Sequence, residues 1–304
     1  STVEAPVFTC GGLCGLSAMA VLGFLVTRRE LAPVQDMTDL VARSSAQQLG
    51  DRLTISDMPV ELQELAMAFN DMLDRIGESL TRLSEFSSDL AHELRTPINN
   101  LMTQTQVSLS KPRNTEEYKE TLYANLEEYE RLARMIADML FLAKADHGLI
   151  IPKRETVDIG KEIHALCDFY EVLADEKSIR LDVKGQAECS GDALMLRRAF
   201  GNLLSNAIQH ADSHSRITII IERCPGTIKI SITNQGNTIP PEHLPRLFDR
   251  FYRADEARTR IDDGVGLGLA ITQSIINAHG GVLTATSERA TTRFLVEIPV
   301  KITP

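Results

Sequence analysis

Residues 88–97 hold a nucleophile, a carboxylate and a helix breaker in one predicted helical stretch, centred on His92 and Glu93. A neutral imidazole keeps a lone pair on one ring nitrogen near pH 7, and an adjacent carboxylate can take the proton from the other. His92 beside Glu93 is therefore a usable nucleophile for a phosphoryl group. Thr96, one helical turn on, shares the His92 face, where its hydroxyl could orient a water for the reverse hydrolysis. Pro97 lacks a backbone N–H and is expected to bend the helix at that point. In isolation the pair reads first as a solvated helix surface, so its assignment depends on what lies downstream.

Downstream, Asn202, Asn206 and His210 recur every four positions of a predicted helix, while Leu196, Phe200, Leu203 and Ala207 line another face. Carboxamide oxygens are hard ligands suited to a Mg²⁺ that also holds nucleotide phosphates; a solvated face is the alternative. Gly264, Gly266 and Gly268 precede another helix, so unhindered backbone N–H groups and a positive helix end could cradle phosphates. Asn234 and Gly236 close a β-strand where backbone and side chain could approach a planar base. Between these two sites, Phe248 and Phe251 precede the polar stretch 254–263, a pattern that fits a mobile lid with an aromatic hinge. Taken singly, the glycines read as turn chemistry and the phenylalanines as ordinary core.

The remaining sequence must position these groups. With 304 residues and a net charge of −10, the chain is long enough for two or more domains, and direct nucleic-acid binding is not expected. The five cysteines show neither a CxxC nor a zinc spacing, which suggests reduced thiols in a cytoplasmic body. Cys10 and Cys14 are one turn apart and could face a soft metal, though in an apolar stretch they read as small packing residues. Residues 7–27 contain no charge and are expected to form a transmembrane helix. Arg28 and Arg29 follow it while only Glu4 precedes, placing the rest of the chain in the cytoplasm by the positive-inside rule. The chain starts at Ser1 rather than Met, so an earlier segment, with any extracytoplasmic sensor, is expected before it.

After the span, residues 31–48 form an amphipathic segment opened by Pro33, and residues 50–59 a polar linker. A helix from Glu61 carries Leu62, Leu65, Phe69, Met72 and Ile76 at alternating three and four spacing, continued through Leu80, Leu90, Leu94 and Leu101. The four-residue step from Ile76 to Leu80 is a stutter where one module would hand over to the next. Lys111 to Asn114 break the helix. A second one from Thr115 keeps heptad spacing through Leu122, Leu126, Tyr129, Ala133, Ile136, Leu140 and Ala143. Two helices with one seam each cannot bury both alone, so a homodimeric four-helix bundle with His92 on its outer surface is expected. Beyond a linker at 148–152, helices at 159–173, 192–210 and 269–279 alternate with strands at 179–183, 217–222, 228–233, 282–287 and 294–299. That order predicts an α/β sandwich with helices on one sheet face.

In this order the motifs resemble the sensor histidine kinases of bacterial two-component systems, over nearly the whole chain. Residues 88–97 look like that family's H box, 202–207 its N box, 234–236 its G1 box, 247–252 its F box and 264–268 its G2 box. Residues 28–80 resemble a HAMP relay, and residues 234–240 and 244–253 most resemble the heavy-metal (copper/silver) sensor branch. The resemblance implies a transmembrane helix (7–27), a HAMP coiled coil (28–80), a dimerisation and histidine phosphotransfer hairpin (81–147), and an ATP-binding α/β sandwich (148–302) of the histidine kinase, gyrase and chaperone type. It further implies an inner-membrane homodimer in which His92 is phosphorylated from Mg-ATP and passes the group to an aspartate of a cytoplasmic response regulator. Glu93 would be the acid/base, Thr96 the phosphatase-supporting hydroxyl, and Asn206 with Asn202 the Mg²⁺ ligands. His210, Asn234, Gly236, Phe248, Phe251, Gly264, Gly266 and Gly268 would line the nucleotide site. Asn234 and Thr238 depart from the family's usual Asp and second Gly, which predicts weaker ATP binding. Two other readings are an ATPase of the wider superfamily, which the asparagines and His92 argue against, and a membrane-anchored scaffold that binds nucleotide without reacting.

Overall fold

The computed structural model describes residues 19–24, 52–58, 60–254 and 266–300. The chain divides into two compact units, Ser1–Leu90 and Ala91–Pro304. Residues 19–24 are helical and exposed; the rest of the expected span at 7–27 and the segment at 31–48 lie outside the described residues. Among the described residues no helix is long and apolar enough to cross a membrane.

In the first unit, a short 3-10 turn at Ile55–Asp57 leads into helix α1, Val60–Leu109, which continues into the second unit. The approach to the turn is clasped by one side chain. Asn70 Oδ1 accepts from the Leu53 N–H at 3.0 Å, and Asn70 Nδ2 donates to the Leu53 carbonyl at 3.1 Å. An Arg52–Asp74 ion pair adds a second tie. The buried apolar groups here are Leu53, Ala66 and Leu73, whereas Leu65, Met72 and Ile76 of the predicted seam are exposed. The extended segment covers the stripe beside the seam, which leaves the seam itself available to another helix.

Helix α1 runs unbroken through the expected handover at Ile76–Leu80 and past Pro97, which is buried within it. The proline therefore does not end the helix. Its missing N–H instead deprives the Glu93 carbonyl, four residues earlier, of its helical donor.

Helix α2, Thr115–Asp146, begins at Asn114, whose side chain accepts from Glu117 N at 2.8 Å, with Glu116 and Glu117 suiting the positive helix end. It returns along α1: the Ser108 and Thr121 hydroxyls lie 3.0 Å apart, and Asn125 Nδ2 donates to Thr105 Oγ1 at 3.4 Å. A groove of about 380 Å³ between the helices is lined by Ile98, Leu101, Thr105, Tyr129 and Leu132. Leu101, Met135, Met139 and Leu142 are buried, yet the predicted heptad residues Leu122, Leu126, Tyr129, Ile136 and Leu140 are between 48% and 66% exposed. The hairpin thus has two apolar stripes, of which the single chain covers one.

The α/β part opens with β1 (Glu155–Asp158), α3 (Ile159–Glu176), β2 (Arg180–Lys184) and β3 (Glu188–Gly191). Helix α4 (Ala193–His210), strands β4 (Arg216–Cys224) and β5 (Thr227–Gln235), helix α5 (Gly268–Ala278) and strands β6 (Val282–Glu288) and β7 (Thr291–Pro299) complete it. The main sheet has the order β2-β4-β5-β7-β6, with β2 parallel to β4 and every other pair antiparallel. Register aligns Ile219, Ile232 and Phe294 in one row and Ile221, Ile230 and Val296 in the next. All six are buried. Each such side chain contributes about 1.5–3 kcal/mol relative to exposure. Helices α3, α4 and α5 touch β2, β5 and β6, giving the expected helix-covered sheet. Strands β1 and β3 form a separate antiparallel pair that the sequence reading did not assign.

Candidate functional site

His92 and Thr96 are exposed on α1 and Glu93 is half-buried, so an outside reagent can reach the imidazole. Helical periodicity puts His92 and Thr96 on one face, as expected from their spacing.

The second constellation is assembled by α4, the end of β5 and the start of α5. Asp192 caps α4, its side chain accepting from Met195 N, and Lys177 Nζ donates to the carbonyls of Ile208 and Gln209 at the other end, at 3.0 and 2.7 Å. Between the caps, Leu196, Phe200, Leu203, Leu204 and Ala207 are buried, which leaves Asn202 and Asn206 half-buried and His210 exposed. Asn202 is already engaged: its Nδ2 donates to the Gly268 carbonyl at 3.0 Å and lies 3.5 Å from Thr272 Oγ1. Among the described residues, no donor reaches its Oδ1. That oxygen and the Asn206 carboxamide, one turn apart, are a donor set chemically suited to Mg²⁺.

Gly264 lies outside the described residues. Gly266 has φ +77°, and a Cβ there would come within 2.9 Å of the Phe251 backbone. Phe251, itself at φ +59°, donates its N–H to the Gly266 carbonyl at 3.1 Å. The glycine predicted to border the phosphates and the predicted hinge aromatic are therefore joined through backbone; Phe248 nearby is half-buried. Helix α5 begins after Leu267 with no side-chain cap, whereas α2, α3 and α4 are capped by Asn114, Asp158 and Asp192. Its first amides can serve an anion.

Asn234 is buried at 3% exposure at the end of β5. At Gly236 a Cβ would sit 2.1 Å from the His210 carbonyl, so glycine also lets β5 close against the end of α4. Thr238 has its own partner, its hydroxyl accepting from Ala290 N at 2.9 Å, which ties it to the β6–β7 turn.

Sequence reasoning missed two sets of positioning residues. From sequence, His279 marks only a helix end. It is fully buried; its Nδ1 lies 2.8 Å from the Ile275 carbonyl and its Nε2 3.0 Å from Asp192 N. A carbonyl only accepts and an amide only donates, so the ring is neutral with its proton on Nδ1. Burial holds its pKa below the ordinary 6.5, against the opposing pull of the Ile275 carbonyl and Asp192. Burial alone would raise the Asp192 carboxyl, but hydrogen bonds from the Met195, Lys153 and Leu194 amides outweigh it and hold it below 3.8. His279 thereby ties the end of α5 to the cap of α4.

The second missed set joins the α/β part to α2. Arg198, one turn before Asn202, pairs with Asp138 and stacks 4.8 Å from the centre of the Phe141 ring. Burial raises the Asp138 carboxyl while Arg198 pulls it down. Arg250, next to Phe251, pairs with Asp146.

Comparison with known proteins fits this arrangement. The family model for histidine kinase-, DNA gyrase B- and HSP90-like ATPases matches residues 191–302, the His Kinase A (phospho-acceptor) model residues 82–148, and the HAMP model residues 25–78. The chain belongs to the sensor histidine kinases. It is 42% identical over 276 residues to the sensor histidine kinase CusS of Escherichia coli K12, an alignment covering 90% of this chain and 58% of the relative. It is 47% identical over 264 residues to the probable sensor protein PcoS of Escherichia coli, covering 87% and 57%. It is 46% identical over 239 residues to the sensor protein CopS of Pseudomonas syringae pv. tomato, covering 79% and 49%. The chain spans little more than half the length of the curated relatives it matches. Among solved structures, the Acinetobacter baumannii histidine kinase AdeS shares the fold with a TM-score of 0.57 at 22% identity, covering 69% of this chain and 98% of that one.

Proposed function

We propose that this chain is the signalling part of an inner-membrane, homodimeric sensor histidine kinase that phosphorylates His92 from Mg-ATP. Residues 7–27 serve as its membrane helix, 28–80 as the HAMP relay, 81–147 as the dimerisation and phosphotransfer domain and 148–302 as the ATP-binding domain. The observation that carries the reading is the pairing, within one chain, of an exposed His92 beside Glu93 with an amide row facing an uncapped helix start. His92 attacks the γ-phosphorus, a nitrogen–phosphorus bond forms, the bond to the β-phosphate oxygen breaks, and ADP leaves with that electron pair. Glu93 takes the proton from the other ring nitrogen. Asn202 and Asn206 hold Mg²⁺, and Gly264, Gly266, Gly268 and the first amides of α5 hold the phosphates. Bound Mg²⁺ supplies charge neutralisation on the phosphates. Asn234 and Gly236 border the base, with His210, Phe248 and Phe251 completing the site.

The phosphoryl group then passes to an aspartate of a response regulator, and Thr96 orients a water when the same hairpin acts as phosphatase. A solved complex of the histidine kinase ThkA with the response regulator protein TrrA, at 21% identity and a TM-score of 0.59, shares the fold. A heavy-metal signal, copper or silver, is supported by residues 234–240 and 244–253, which resemble that branch.

The test is label transfer from γ-labelled ATP and Mg²⁺ to the purified chain. Acid-labile, alkali-stable label is expected on the wild type and none on His92→Gln. Released phosphate without label would move the assignment to an ATPase, and nucleotide binding with neither would move it to a scaffold. Restoring the usual carboxylate by Asn234→Asp is expected to tighten nucleotide binding by about tenfold, because charge-assisted hydrogen bonds are roughly twice as strong as neutral ones. A titration in which the wild type binds more tightly than the variant would rule this out.

A further inference from the structure

We infer that Thr272 is a positioning residue for magnesium, acting by fixing which atom Asn202 presents. This rests on the Mg-nucleotide reading above and assigns a role to a residue outside the five motifs. Thr272 is fully buried on α5, one turn after Gly268, and is a polar side chain on a face otherwise made of Ile271, Ile275 and Ile276. Its Oγ1 donates to the Gly268 carbonyl at 2.8 Å and lies 3.5 Å from the Ala199 carbonyl on α4. Asn202 Nδ2 reaches the same Gly268 carbonyl and the same hydroxyl.

The chemistry of these atoms admits one orientation of the amide. The Gly268 carbonyl can only accept, so the Asn202 nitrogen must face it. The Thr272 hydroxyl spends its proton on that carbonyl and turns a lone pair toward the same nitrogen. A carboxamide is planar, so fixing Nδ2 on this side fixes Oδ1 on the other, where no protein donor among the described residues competes for it. Without the hydroxyl, Nδ2 keeps one acceptor instead of two, and the amide loses part of the bias that presents oxygen rather than nitrogen to a cation. The hydroxyl also ties α4 to the first turn of α5, so the metal-facing side chain and the phosphate-facing amides share one anchor.

The test is a fluorescent ADP titration of the full chain in Mg²⁺ and in EDTA, on the wild type and on Thr272→Val, Thr272→Ala and Thr272→Ser. Valine keeps the shape of threonine without its hydroxyl, and alanine serves if valine does not fold. The expected result is roughly five- to tenfold weaker binding by valine or alanine in Mg²⁺, the scale of one lost hydrogen bond. Affinity in EDTA should not change, and serine should restore the wild-type value. Equal loss with and without Mg²⁺, no loss in Mg²⁺, or no rescue by serine would each overturn the assignment. A wild type that binds nucleotide without Mg²⁺ dependence would instead remove the parent reading and this one with it.

Discussion

Aspartate at Leu126 and Leu140 of α2 is expected to convert the proposed dimer to monomers and to raise its dissociation constant roughly a thousandfold or more. Both leucines are more than half exposed in the single chain, on the stripe that the α1–α2 contact does not cover. In a symmetric bundle each replacement acts twice, so four leucine burials are lost; full burial of a leucine is worth about 1.5–3 kcal/mol, and roughly half of that applies to each because the single chain already covers the rest. Four carboxylates would also have to be desolvated or the interface abandoned. The hairpin itself should survive, since Leu101, Met135, Met139 and Leu142 are buried on its other stripe. Sedimentation of the detergent-solubilised chain together with its helical circular dichroism reads both expectations. A variant that still sediments as a dimer would show that the stripe is not the interface.

The second large effect concerns His279. His279→Ala is expected to cost about 3–5 kcal/mol of stability, because it opens a cavity the size of an aromatic ring and leaves the buried Asp192 N–H without its acceptor. The wild type should also carry a pH dependence that the variant lacks. Its folded pKa lies below 6.5, so as pH falls below that value the unfolded chain takes up a proton that the folded chain refuses. The contribution of His279 is therefore present above pH 6.5 and is lost as pH drops toward the folded pKa, by at most about 1.4 kcal/mol per pH unit. Asp192 stays ionised throughout this window, its carboxyl being held below 3.8. Urea unfolding at pH 7.5 and 5.5 compares the two proteins; equal sensitivity to pH would dismiss the mechanism.

Elements with a strong period were legible from sequence. The isoleucine alternation of β4 and β5 and the apolar face of α4 came out within a few residues of the observed Arg216–Cys224, Thr227–Gln235 and Ala193–His210. Strands β1 and β3 did not, because four residues apiece carry too little alternation to separate a strand from a linker. At the site, residue types pointed to elements that the fold brings together, α4 and the start of α5, but what their atoms touch was not readable. Gly236 makes room for the chain itself, and the Asn202 nitrogen is committed to a carbonyl sixty-six residues away. His279 and Asp192 are eighty-seven residues apart, and each alone has the look of a helix terminus. A contact of that kind has no local period to reveal it.

The pairing of the two long helices carries a consequence for distance. Thr105 faces Asn125, and each residue back along α1 lies beside one further along α2. Thirteen such steps bring His92 level with Asp138, the carboxylate that holds Arg198 of the asparagine-bearing helix. The α/β part is thus moored to α2 at the level of His92. Under the proposed phosphorylation of His92, this pair fixes where along the hairpin axis the asparagine-bearing helix is held, level with the imidazole that is to be modified.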